Sequence, residues 1–158
     1  MTDEEFNEKC LTEQTIVREA GVKVVKSDRD RDALFKGSIA NSDYFFKGVE
    51  TISKSNAPYL VFILGFFAME HRANALALIS DNYKLESHIC AQIYLSRIVG
   101  RKDLAQLLSK AWNLRIGYNY RMDLSVGGDV KDVENFIGKI LKPFIVEIDK
   151  LVKDKKQS

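Results

Sequence analysis

With 158 residues, 46% hydrophobic and 29% charged, the chain is long enough for one domain with a complete core and too short for two comfortable ones. Its 24 basic and 22 acidic residues leave a net charge of +2, so no global field draws it to nucleic acid or anionic lipid, and any anion site must be local. Cys10 and Cys90 stand far apart without a CxxC pair, which indicates neither a disulfide framework nor a zinc site and suits a reducing compartment.

The acidic start Met1 to Glu5 is not followed by a signal-type apolar run, so a cytoplasmic location is expected. Thr2 and Glu5 form a capping box for a first helix carrying Phe6, Cys10, Val17 and Ala20, which Gly21 can end. Residues 1–26 therefore read as an accessory extension. Val22 to Val25 is the one segment with any strand character. Ser27 and Asp30 then open a long helix to about Lys54, with Leu34, Phe35, Tyr44, Phe45, Val49 and Ile52 along it, and the alternating charges of Asp28 to Asp32 read as a solvated face.

Ser55, Asn56 and Pro58 start a third helix that extends through Ile79. Its apolar run from Ala57 to Met69 falls short of the roughly 20 residues of a bilayer span, so Tyr59, Phe62, Phe66, Phe67 and Met69 are expected in a core. Asp81 and Asn82 mark a turn, and a fourth helix is predicted from about Lys84 to Val99, with Gly100 as its end. His71 and His88 face each other across that turn in sequence but bring no ExxH pair or second carboxylate, which favours packing histidines over a metal site.

The fifth helix, from about Lys102 to Asp123, places Leu104, Leu108, Ala111, Arg115, Tyr118 and Met122 at steps of four and three. Arg115 thus sits where the period calls for a core residue, and it needs a partner: a carboxylate, carbonyls, another subunit or an anionic ligand. Asn119 lies one turn on, Tyr120 and Arg121 follow, and Trp112, one turn before Arg115, can pack or stack. These are parts for holding a phosphate and a base, or for an internal network tying helices together. Gly127 and Gly128 break the pattern, Asp129 caps a last helix bearing Val133, Phe136, Ile140, Phe144, Ile148 and Leu151, Pro143 should kink it, and residues 154–158 should fray as a tail.

The fold class is therefore all-α: an antiparallel up-and-down bundle of four to five main helices over residues 27–153, plus the N-terminal helix. P-loop, paired-glycine, HExxH and GxSxG signatures are all absent, and no cofactor is indicated.

Arg115-Ile116-Gly117-Tyr118-Asn119-Tyr120 resembles the R-x-x-x-[DN]-Y motif of the HEPN family of helical nucleotide-binding domains. Phe66-Phe67-Ala68, His71 and Ala75-Leu76 resemble the aromatic helix of its small prokaryotic members, and Val133, Phe136 and Ile140 their closing helix, so the likeness covers about Asp28 to Val152. The resemblance implies a homodimer with the arginine near a cleft between protomers, metal-independent ribonuclease or toxin activity in many members, and a small nucleotidyltransferase partner of toxin–antitoxin type. It makes Arg115, Tyr118, Asn119, Tyr120 and Arg121 the nucleotide or RNA site, with Arg115 and Tyr120 the candidates for catalysis. The active form has a histidine five or six residues after the arginine, where this chain has Tyr120 and Arg121. Tyrosine, with an unperturbed pKa near 10, is a poor general base, so binding with little catalysis is expected. The alternatives are a protein-interaction module without a ligand site and a diverged ribonuclease.

Overall fold

The computed structural model describes Cys10 and residues 21–55, 59–120 and 130–158, with the backbone alone at 118–120. It is an all-α bundle. Strand β1 (Val22–Val24) precedes α1 (Asp28–Ile52) and α2 (Leu60–Asp81). Strand β2 (Tyr83–Leu85) leads into α3 (His88–Ile93), which runs on through a π-helical turn, Tyr94–Ile98. Helix α4 (Lys102–Tyr120) follows, and the last rod comprises α5 (Val130–Phe136), a second π turn (Ile137–Leu141) and α6 (Lys142–Gln157).

Helix α1 begins as its sequence predicts, with Asp30 N–H donating to Ser27 Oγ at 3.3 Å and carboxylates in the first turn. Contacts between α1 and α2 have nearly constant residue sums: Ser38 with Asn74, Ser42 with Ala68, and Phe45 with Phe67. The two helices are therefore an antiparallel hairpin. Contacts of α2 with the last rod rise together instead, from Phe62 on Phe136 to Arg72 on Asp149, so those two run the same way.

Helix α2 is the centre of the bundle. It is long and apolar enough to cross a membrane by composition, yet it packs against α1, α4 and α6, and every residue from Arg72 to Leu78 is buried. Small residues let neighbours approach: a Cβ on Gly65 would stand 2.4 Å from Phe136 Cε1. The buried polar groups are tied to adjacent elements. Asn74 donates to Ser38 Oγ and accepts from Leu85 N–H, both at 2.7 Å. Arg72 Nη2 donates to Asp43 Oδ1 at 2.7 Å, while its Nε lies 3.3 Å from Asp149 Oδ1, too poorly aligned for a hydrogen bond.

Several expectations need correction. Residues 83–85 do not start a helix; they pair antiparallel with β1 in the register Val22 with Leu85 and Val24 with Tyr83, because Asn82 in the left-handed region (φ 57°) ends α2 and turns the chain back. Gly100 (φ 76°) does terminate the fourth helix, as expected, but a π turn precedes it, with Val99 N–H donating to Tyr94 O at 3.0 Å. Pro143 lies just beyond the second π turn, within a rod that stays helical on both sides of it, so the missing N–H falls where the helical ladder is already widened. The last helix continues to Gln157, and Lys156 lies 4.5 Å from the ring centroid of Phe35, so the tail expected to fray is helical. The first helix, the Asn56 and Pro58 start signals, the end of α4 at Asp123, the Gly127-Gly128 break and the Asp129 cap all lie outside the described residues.

The largest correction concerns the cysteines. Cys10 and Cys90 form a disulfide with a Cα–Cα distance of 5.9 Å across a separation of 80 residues. Distance along the chain says nothing about distance in the fold, and the inference of a reducing compartment from unpaired thiols loses its basis. Closing so long a loop restricts the unfolded chain, so Cys10→Ser should lower the unfolding free energy by about 2–4 kcal/mol in urea titrations. Protein purified without reductant should resist thiol labelling until unfolded and reduced; labelling of both cysteines in the native chain would contradict the bond. Arg72→Ala should cost about 2–4 kcal/mol by the same titration, through lost packing and two unpaired carboxylates. A loss below about 1 kcal/mol would show that Asp43 and Asp149 are satisfied by water alone.

Candidate functional site

Helical geometry gathers the site from three elements. Phe66, Phe67 and Glu70 occupy adjoining turns of α2, Trp112 and Arg115 are one turn apart on α4, and His88 opens α3. The half-buried guanidinium of Arg115 lies 5.1 Å from the Phe66 ring centroid, 4.8 Å from Phe67 and 5.1 Å from Trp112. This answers why a cation tolerates a position the period reserves for the core. The negative faces of three rings replace part of its hydration, each contact being worth roughly 0.5–2 kcal/mol according to how dry it is.

Cation–π contacts leave the N–H groups of arginine unused. Arg115 Nε is buried without a hydrogen-bond partner, and no described carboxylate forms an ion pair with the guanidinium. Glu70 is near enough to feel it. Burial raises the Glu70 carboxyl above its ordinary value, and the charge of Arg115 only partly offsets that rise. Burial lowers His88, and Arg115 lowers it further. Both groups therefore feel the same guanidinium, from α2 and from α3.

The imidazole of His88 stacks on Trp112 with centroids 3.5 Å apart and planes at 14°. His71 has a separate role, lying over Phe45 at 5.6 Å and 10°, and burial lowers it too. The two histidines thus serve different aromatic contacts, and among the described residues no group of three or more His, Cys, Asp or Glu is placed to hold a metal. Phe62 and Met69 are fully buried core residues, whereas Phe67 is only half-buried and belongs to the site.

Of the residues selected from sequence, Arg115 is described in full and lies in this cluster. The side chains of Tyr118, Asn119 and Tyr120, and all of Arg121, lie outside the described residues. Glu70 and the His88–Trp112 stack were not recognised as parts of one site, because their positions are far apart in sequence; the adjacency of Phe66, Phe67 and Glu70 on one helix was the available signal. No family model, curated protein or solved structure matches the chain.

His88 provides a direct check on the cluster. Its lowered pKa means that the fold favours the neutral ring, so its contribution to stability is full above about pH 6.5 and is lost as pH falls through the depressed midpoint. An NMR titration should place the His88 midpoint below 6.5. Arg115→Gln should raise it while leaving it below 6.5, since burial is the larger cause; an unchanged midpoint would mean that the two groups do not interact.

Proposed function

We propose that the chain is a HEPN-like helical protein that binds a nucleotide or RNA phosphate through Arg115. The supporting observation is an arginine held by three aromatic rings with a buried Nε–H left unpaired, a donor prepared for an anion rather than consumed in a structural ion pair. Asn119, Tyr118, Tyr120 and Arg121 complete the site on this reading, which rests for them on the motif alone. A homodimer and a small nucleotidyltransferase partner of toxin–antitoxin type follow from the same resemblance.

Binding of a fluorescent mononucleotide and a short single-stranded RNA should weaken at least tenfold in Arg115→Gln, the loss of charge-assisted hydrogen bonds to phosphate. Equal, negligible binding by wild type and variant would favour a protein-interaction module.

The place of His88 supports a second reading, a diverged metal-independent ribonuclease. The motif lacks a histidine, but α3 brings one within electrostatic reach of Arg115. The 2′-hydroxyl would lose its proton to His88 and attack the adjacent phosphorus, Arg115 would stabilise the phosphorane charge, and the departing 5′ oxygen would take a proton from solvent, leaving a 2′,3′-cyclic phosphate. Cleavage that yields the cyclic product and disappears in His88→Ala while RNA binding persists would establish this reading over binding alone.

A further inference from the structure

Helix α1 forms an edge of the bundle: among the described elements it packs mainly on α2, and its opposite face meets solvent. That outer face has a period of its own. Asp30, Ala33, Gly37, Ala40, Tyr44 and Lys47 follow one another at alternating steps of three and four, and every one of them is exposed. This is a seven-residue repeat, the spacing with which one helix lies along another, and a face meant only for water has no need to keep it.

The residues on the seam also differ from those of a solvated face. Gly37 stands in the middle of a helix of 25 residues, where glycine is a poor helix former, and a Cβ placed on it would meet nothing within 4 Å. The chain's own packing therefore does not require a glycine there. Tyr44, 76% exposed, meets Phe45 edge-on at 5.8 Å and turns the rest of its ring to solvent. A large ring and small residues alternating along one face are what two helices need to interlock at close range.

The flanking charges identify the occupant. Arg29, Lys36, Asp43 and Glu50 recur at every seventh position along one side of the seam, all exposed, two cations followed by two carboxylates. Asp43 accepts from Arg72 and still keeps 62% of its side chain exposed. In an antiparallel pair of α1 helices these positions face one another, so Arg29 meets Glu50 of the second copy and Lys36 meets its Asp43. The same register sets Ala33 opposite Tyr44, Gly37 opposite Ala40 and Asp30 opposite Lys47. Sliding by one repeat would bring Asp43 against Asp43, and a parallel pair would set the flanking charges against Leu34, Asn41 and Gly48, which carry none.

We propose that the outer face of α1 is a self-association surface on which a second copy of the chain packs antiparallel. Each contact occurs twice about the two-fold axis, so the assembly closes at two copies. One helix from each partner, in contact over about 30 Å, makes a small interface, and the dimer should be reversible with a Kd on the order of micromolar. The surface does not rest on the Arg115 reading and uses no residue of that cluster.

Sedimentation velocity of the intact chain at low ionic strength, from about 1 to 200 μM, tests it. Arg29→Glu and Glu50→Arg each set like charges opposite one another at two points, and each should weaken the dimer about tenfold. An equimolar mixture of these two variants should dimerise like the wild type, because each then carries the charges its partner lacks. Gly37→Glu fills the gap opposite Ala40 and should weaken association at least tenfold, while its circular dichroism stays that of the wild type, since the position is open within the monomer. Arg115→Gln should sediment as the wild type does.

A wild type that remains monomeric throughout this range would overturn the interface. So would a dimer that all three α1 variants leave unchanged, which would belong to another face. A mixture that associates no better than its components would overturn the antiparallel pairing.

Discussion

The complete burial of α2 between Arg72 and Leu78 is the constraint on which the rest of the structure depends. A helix with no wet face cannot leave a polar side chain to water, so Arg72 and Asn74 must be answered by neighbouring elements. Asp43 from α1 and Asp149 from α6 answer Arg72; Ser38 and the backbone of β2 answer Asn74. These partners come from opposite ends of the sequence, so satisfying two residues sets the hairpin register, the docking of the last rod and the position of the small sheet together. The apolar contacts around them supply most of the burial, but they tolerate sliding in a way that a hydrogen bond of 2.7 Å does not.

The candidate site sits where that dry helix meets a wetter end of the bundle. Phe66 is fully buried, Phe67 and Glu70 half-buried, and the exposure changes within little more than one turn. This gradient lets Arg115 be held firmly and still keep donor capacity. An arginine paired with a buried carboxylate would spend its planar fork on architecture, whereas rings attract its charge and leave its N–H groups unspent. Glu70 is close enough to interact with it electrostatically, and burial raises the Glu70 carboxyl above its ordinary value.

The disulfide belongs to the same region from another side. Cys90 lies on α3 two residues after His88, so the bond to Cys10 is made at the helix that supplies the stacking imidazole.

Sequence alone determined the elements that depend on neighbours along the chain. The Ser27 cap, the break at Asn82 and the Gly100 terminus were legible because capping and left-handed turns are decided by adjacent residues, and the apolar periods of α1, α4 and the last rod, with the continuous apolar run of α2, pointed to an all-α bundle. The anomaly of Arg115 was legible too, since a charge on an apolar stripe violates the period that surrounds it. What surrounds that charge was not: Glu70, His88 and Trp112 come from three helices, and only their packing decides that the arginine meets rings rather than a carboxylate. The same holds for the Cys10–Cys90 bond, the pairing of β1 with β2 and the π turns. Each is a relation between distant residues, fixed by how the buried α2 forces its neighbours to pack and carried by no local propensity.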